Sequence, residues 1–464
     1  MPDARTLASV WAAKGTAFAS RALGRGGGTA ASGLVGAWLQ PHLIAELAPQ
    51  LGHGCVVVTG TNGKTTTSLL ISDTARAAGL KPLANASGSN LVRGLASTLA
   101  LATDRDGRIE DAPERLGVFE VDEATLPLVL RDLSPRAIVF TNLFRDQLDR
   151  YGEVAAVAAL WRHTLEDASP NTHLVLNADD PAVASLGDGR DNVTYFGLED
   201  RKLDSGAPDH ASDALTCACG ARLGYTVAFF GHLGHWRCPS CKRARPKPEV
   251  AARLVNLKDG RSARFQLAVG EHKGMVDLGV GGLYNVYNAI AAAAAAHTLG
   301  LPVSASTEAI EGVSAAFGRQ EAFEVEGRRV EVFLGKNPAG LNQVLSTLLL
   351  DESRRTALFV LNDAIADGRD ISWVWDADFE IAAGKLERVV TSGTRAAEMA
   401  LRLKYAEWDE KTIEVDPMIP RALERAIALT QPGQCLTVVP TYTAMLTVRE
   451  LLAKRSGRAP FWRS

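Results

Sequence analysis

The chain has 464 residues, too many for one hydrophobic core, so two or three domains are expected. Hydrophobic residues make up 46% and charged residues 22%, the balance of a soluble enzyme, and a net charge of -3 gives no global reason to expect nucleic acid. No run of about 18 or more apolar residues occurs, and the short patch Val10–Ala13 is broken at once by Lys14. Both facts argue against a membrane span or a secretory signal and for a cytoplasmic protein.

The first 50 residues hold a helix-like stretch and then Gly24-Arg25-Gly26-Gly27-Gly28, read as a loop. From Cys55 the pattern is strand, turn, helix: Cys55–Val58 is a β-branched buried strand and Thr65–Ala78 a helix. Further strands are expected at Leu116–Val121, Ala137–Phe140 and Leu174–Leu176, each followed by a polar cluster, as in parallel sheets with ligand loops at their C-terminal ends. The run Ala289–Ala296 reads as a tightly packed helix. Residues 200–250 break the rhythm and look like an insertion. A second α/β region begins near Gly318-Arg319, with strands at Ala357–Leu361, Arg388–Thr391 and Cys435–Val439. The expected division is therefore an N-terminal segment 1–50, an ATP-binding domain 51–315 with an insertion at 213–248, and a C-terminal α/β domain 316–464.

The turn after the first strand, Gly60-Thr61-Asn62-Gly63-Lys64-Thr65-Thr66, carries the most chemistry. Glycines let backbone amides face phosphate oxygens, and the following helix N-terminus adds positive potential. Lys64 would reach the outer phosphates and Thr65 would ligate magnesium. Val58 stands where the generic phosphate-loop pattern has its first glycine. This shortened form resembles the loop of the Mur ligase superfamily, whose members activate a carboxylate as an acyl phosphate for attack by an amine. Other stretches resemble the family in the same order: Glu120-Val121-Asp122-Glu123, Thr141–Asp149 and Leu176–Pro181. The resemblance implies a magnesium-binding Glu120, a nucleotide-site Asn177, adenine contacts from Asn285 and Asn288, and a γ-phosphate contact from Arg319. Gln147 stands where typical members have a histidine near a second magnesium.

Of the six cysteines, Cys217, Cys219, Cys238 and Cys241 fall within 25 residues, and Cys55 and Cys435 sit alone in apolar runs. Two pairs so spaced resemble a zinc ribbon, a closed structural site of four thiolates. His232 and His235 lie close enough in sequence to replace one of them.

In the C-terminal half, Lys336–Gln343, Leu361–Trp373 and Pro440–Leu446 are polar, partly aromatic segments, two of which follow strands. Together with the cysteine insertion and Arg145–Gly152 they resemble the MurT family, the Mur-ligase-like subunits of lipid II isoglutaminyl synthase. That resemblance implies ATP-dependent amidation of the α-carboxylate of D-isoglutamate in the lipid II stem peptide, at the inner membrane face. It names GatD as the glutaminase partner that supplies ammonia, and implies that Asp370, or else Asp367, orients the partner's histidine. The cysteines agree: four look committed to metal and two sit in strand-like runs, which leaves no activated nucleophile for glutamine hydrolysis. The alternatives are a stand-alone Mur or folylpolyglutamate-type amino-acid ligase, expected to keep a histidine at position 147 and lack the ribbon, and a nucleotide-binding scaffold, expected to lack Lys64, Glu120 or Arg319.

Overall fold

The structure is a computed structural model that describes residues 3–22, 29–85, 89–146, 154–209, 212–313, 319–354 and 356–457, with the backbone alone at 29, 30 and 319. The glycine run Gly24–Gly28 and Gln147 lie outside the described residues.

Two sheets dominate. The first contains β1 (Cys55–Thr59), β2 (Lys81–Ala84), β3 (Arg115–Glu120), β4 (Ala137–Phe140), β5 (His173–Asn177), β6 (Val193–Leu198), β9 (Val250–Lys258), β10 (Ser262–Val269) and β11 (His272–Leu278). Their order is β11-β10-β9-β6-β5-β4-β1-β3-β2, parallel except for the β9-β10-β11 meander. The four strands expected here are all present, with ends displaced by at most one residue. β1 is buried on both faces, as its run of valines requires of a central parallel strand. Val56 and Val58 enter one apolar cluster, while Cys55 and Val57 enter the cluster on the other side.

Helices cover both faces. On one side lie α4 (Lys64–Ala77) and the helix Leu283–Thr298, whose alanine run Ala289–Ala296 is wholly buried. Methyl-sized side chains let that helix sit close against its neighbours. On the other side, α1 (Ala4–Ala22) and α2 (Thr29–Leu39) form an antiparallel hairpin, followed by the short α3 (Leu43–Leu47). The hairpin packs on α5 (Val92–Leu101) so closely that a Cβ at Gly33 would lie 1.7 Å from the Arg93 carbonyl oxygen. Only glycine fits there.

Between β6 and β9 the chain leaves the sheet to form the hairpin β7 (Gly224–Phe230) and β8 (Leu233–Arg237) and returns without disturbing the parallel register of Phe196 opposite Val250. The second sheet is built from β12 (Arg319–Val325), β13 (Arg328–Phe333), β14 (Thr356–Val360), β15 (Arg388–Ser392), β16 (Ile413–Val415) and β17 (Cys435–Pro440). Its order is β12-β13-β17-β14-β15-β16, parallel apart from the β12–β13 hairpin.

Candidate active site

In the first sheet β1 lies between β3 and β4, so successive crossovers run to opposite sides of it. Such a reversal opens a crevice at the C-terminal strand ends, where open α/β sheets bind ligands. The loop Gly60–Gly63 fills that position, and α4 begins immediately after it. Two of its residues can only be glycine. Gly60 has φ +129°, and a Cβ there would meet Thr141 Oγ1 at 2.2 Å. Gly63 has φ +89°, and its Cβ would meet Asn288 Oδ1 at 2.0 Å. The segment after β4 cradles the loop: the Asn62 amide donates to Asn142 Oδ1 (2.9 Å), and Thr61 Oγ1 donates to the Phe144 carbonyl (3.0 Å).

Lys64 is buried. Its Nζ donates to the Gly60 carbonyl at 2.5 Å and pairs with Glu123 Oε2 at 3.2 Å. Burial alone would lower its pKa, but the carboxylates of Glu123, Glu120, Asp122 and Asp146 outweigh that and raise it. The ammonium therefore stays charged at the heart of the loop. Next to it, Thr65 Oγ1 donates to Glu120 Oε2 at 2.8 Å, so a hydroxyl and a carboxylate from separate elements converge. Hard oxygen donors in this arrangement fit a magnesium ion, which keeps several waters and takes few protein ligands.

Beside the loop is a cavity of about 90 Å³, lined on the first-sheet side by Asn62, Gly63, Thr66 and Asn288. Phe144, Phe230, Tyr284 and Tyr287 give it aromatic walls suited to a flat base. Asn285 stands behind Asn288 and accepts its amide at 3.1 Å. Asn177 is fully buried beneath the loop, where its amide braces the Thr141 carbonyl at 2.9 Å, and it does not line the cavity. Arg319 opens β12, with its side chain outside the described residues.

The second sheet closes the cavity from across. Lys336 and Asn337 follow β13, and the Asn337 amide donates to Asn62 Oδ1 at 3.0 Å. Lys336 pairs with Asp146, beside the phosphate loop, and lines the cavity. Glu123, Asp146 and Lys336 lie in segments the sequence singles out, but no individual role is read for them there. Glu123 shares an acidic segment with Glu120, the residue expected to hold magnesium, and the other two meet only when the two halves fold together.

Asp367 and Asp370 part company in the loop after β14. Asp367 is buried and accepts from the Thr443 amide (2.7 Å) and hydroxyl, which ties both its oxygens to the start of the last helix. Asp370 is exposed and accepts a local bond from the Ser372 amide at 2.8 Å.

In the insertion, the sulfurs of Cys217, Cys219, Cys238 and Cys241 all lie within 4.8 Å of one another, with Cys219 and Cys238 3.5 Å apart and Cys217 and Cys241 3.6 Å apart. Sulfurs about 2.3 Å from a shared zinc stand about 3.8 Å from each other in a tetrahedron, so this set fits that metal with no position left open. The histidines are elsewhere. His232 faces Asp180 at 3.3 Å and His235 bonds the Leu198 carbonyl at 2.9 Å, so neither replaces a thiolate.

Comparison with known proteins agrees with this geometry. Residues 58–231 match the Mur ligase middle domain and residues 334–445 match the MurT ligase C-terminal domain. The subunit MurT of lipid II isoglutaminyl synthase (glutamine-hydrolyzing) from Staphylococcus aureus strain COL is 32% identical over 97% of this chain and 98% of its own length. The chain belongs to the MurT family. A Streptococcus pneumoniae MurT subunit is likewise 32% identical, over 97% of this chain and 98% of its own. Among solved structures, a pseudomurein peptide ligase type C from Methanothermus fervidus superposes with a TM-score of 0.65 at 25% identity, covering 86% of this chain and 78% of that one. MurF from Acinetobacter baumannii gives the same TM-score at 15% identity over 92% and 81% of the two chains, which speaks for the shared Mur-ligase fold alone.

Proposed function

We propose that this MurT-family chain is the ATP-using synthase subunit of a lipid II amidating ligase in peptidoglycan synthesis. It converts the α-carboxylate of D-isoglutamate in the stem peptide to the amide. The observation that carries the proposal is the phosphate loop itself: a charged, buried Lys64 and the Thr65–Glu120 pair beside a cavity closed by Lys336 and Asn337.

In the reaction, a stem-peptide carboxylate oxygen attacks the γ-phosphorus of ATP, the bond to the β,γ-bridging oxygen breaks and ADP leaves. Ammonia then attacks the acyl carbon, phosphate departs with the C–O bond pair, and the nitrogen loses a proton to solvent. Lys64 and the loop amides offset the negative charge that the first step concentrates. We assign Arg319 to the γ-phosphate, Asn285 and Asn288 to the base, and Thr65 with Glu120 to magnesium. A bound magnesium ion would supply Lewis-acid polarisation of the phosphates. Zinc in the four-cysteine cluster would be structural.

Ammonia would come from a separate GatD-like glutaminase. The two cysteines outside the cluster support this, because burial pushes the thiols of Cys55 and Cys435 up to about 12, far from the range of an activated nucleophile. Of the two aspartates, Asp370 is the one a partner can reach, and we assign it to orient the glutaminase histidine. The test is to give the purified chain lipid II, ATP and ammonium, then glutamine with and without the partner. Amidation with ammonium alone, and with glutamine only when the partner is present, is expected. No product with ammonium overturns the reading, and glutamine use by the single chain overturns the two-subunit part of it.

A further inference from the structure

The helical hairpin at the N-terminus turns an apolar face to solvent. Along α1 the exposed positions Ala4, Ala8, Trp11, Gly15, Phe18 and Ala22 recur at spacings of four and three, so they form one stripe. Trp11 is 52% and Phe18 72% exposed. α2 contains no charged residue, and its Leu34 and Trp38 are 54% and 80% exposed. Large side chains are rarely left open to water in such a group.

The helices that build this face carry charges of one sign, with Asp3 beside Arg5 just before α1 and Asp104 beside Lys14 as the neighbouring acidic groups. α1, α2 and α5 together carry Arg5, Lys14, Arg21 and Arg93 and no acidic residue, in a chain whose net charge is -3. At 100° per residue, Arg5 and Arg21 flank the α1 stripe on opposite sides, and both are exposed. Among the described residues no helix is long and apolar enough to cross a membrane. Tryptophan and phenylalanine on one face with arginines beside it is the pattern of a segment lying in the interface of an anionic bilayer. Self-pairing along the same stripe would instead bring like charges together.

We infer that the α1–α2 face docks the protein peripherally on an anionic lipid bilayer, with Trp11, Phe18, Leu34 and Trp38 at headgroup depth and Arg5 and Arg21 on lipid phosphates. This deepens the functional reading, since an enzyme for a lipid-linked substrate works at that surface, and it rests on that reading for its biological sense.

The test uses the full chain and vesicles that contain no lipid-linked substrate, either phosphatidylcholine alone or an equimolar mixture with phosphatidylglycerol. The protein is expected to sediment with the mixed vesicles, to lose that association as salt rises, and to shift its tryptophan emission to the blue. The double variant Phe18→Ser, Trp38→Ser should bind about tenfold more weakly while its far-ultraviolet circular dichroism and melting temperature stay unchanged. The single variant Arg21→Gln should reduce the preference for anionic vesicles. Failure to bind, binding that the variants do not weaken, a dimer in lipid-free solution that Phe18→Ser, Trp38→Ser dissolves, or loss of vesicle binding when the glutaminase is bound would each overturn the inference. Amidation of detergent-dispersed lipid II without vesicle binding sinks this inference alone, and vesicle binding without amidation sinks the functional reading alone.

Discussion

Lys64 reaches its place through three kinds of partner: the Gly60 and Thr61 carbonyls, the Glu123 carboxylate at 3.2 Å and the wider field of Glu120, Asp122 and Asp146. Replacing it by alanine should lower ligase turnover about a thousandfold, the scale of losing a principal charge-stabilising group. Glu123→Gln should act differently. It removes the carboxylate that pairs directly with the ammonium, leaving the Gly60 and Thr61 carbonyls and the more distant acidic groups, which costs about 3 kcal/mol in the absence of nucleotide. Magnesium-ATP should then raise the melting temperature of the variant more than that of the parent chain, because triphosphate can take over the lost pairing. Equal shifts in the two proteins would show that Glu123 is not the partner that matters. Gly60, Gly63, Lys64 and Thr65 are legible in the sequence because loop geometry obliges them to be neighbours. Glu123 is not, since nothing local separates the carboxylate that pairs with lysine from the one, Glu120, that meets Thr65. Lys336 is less so, standing 275 residues from the Thr61 carbonyl it faces.

The cysteine insertion works as an element, tied into the sheet by more than its own thiols. Trp236 donates its indole N–H to the Ala178 carbonyl at 3.0 Å, and Arg245 pairs with Asp179 and with Glu199. Asp179 in turn accepts the Tyr287 hydroxyl at 2.7 Å, and Tyr287 lines the cavity. Stripping the metal with a strong chelator should therefore release one zinc per chain by elemental analysis and lower the melting temperature by several degrees, since a structural site contributes folding free energy directly. The KM for ATP should rise as Tyr287 loses its support, with a smaller change in kcat. An unchanged KM after complete metal loss would confine the ribbon to its own stability. The four cysteines are legible as a set from spacing alone. The tie through Arg245 is not, because it joins the end of the insertion to residues after β5 and β6 that only the folded sheet brings near it.

At the scale of the whole molecule, the two sheets meet along a buried ionic cluster. Arg354, fully buried, binds Glu331 at 2.6 Å and reaches the Asp259 carbonyl in the β9–β10 turn, while Arg261 from that turn pairs with Asp351 at 2.6 Å. Burial alone would raise the Glu331 pKa, but Arg354 and Arg329 outweigh it and the net shift is downward. A lowered folded-state pKa means stability that is fully present above the ordinary value of 4.5 and lost as the pH falls through the folded value. Resistance to urea should accordingly fall below about pH 4.5, and Glu331→Gln should lose about 3 kcal/mol near neutrality while flattening that acid dependence. An identical pH profile in the variant would place the acid sensitivity elsewhere. The two α/β regions and most of their strands are legible from apolar runs, whereas this seam is not, because each of its charged residues reads alone as an ordinary surface group.

The way the ribbon is hosted also bears on its history. It leaves and re-enters between β6 and β9, whose pairing of Phe196 with Val250 is indifferent to what lies between them. A whole module can thus have been gained there in one genetic event without re-registering a single strand. Asp179 is fully buried and pairs with Arg245, so a partial deletion that removes Arg245 leaves this carboxylate with the Tyr287 hydroxyl and the Leu198 amide but without its cation, a costly intermediate. Descendant lineages should carry the module intact or have discarded it entire, and chain lengths across that span should fall into two groups with few intermediates.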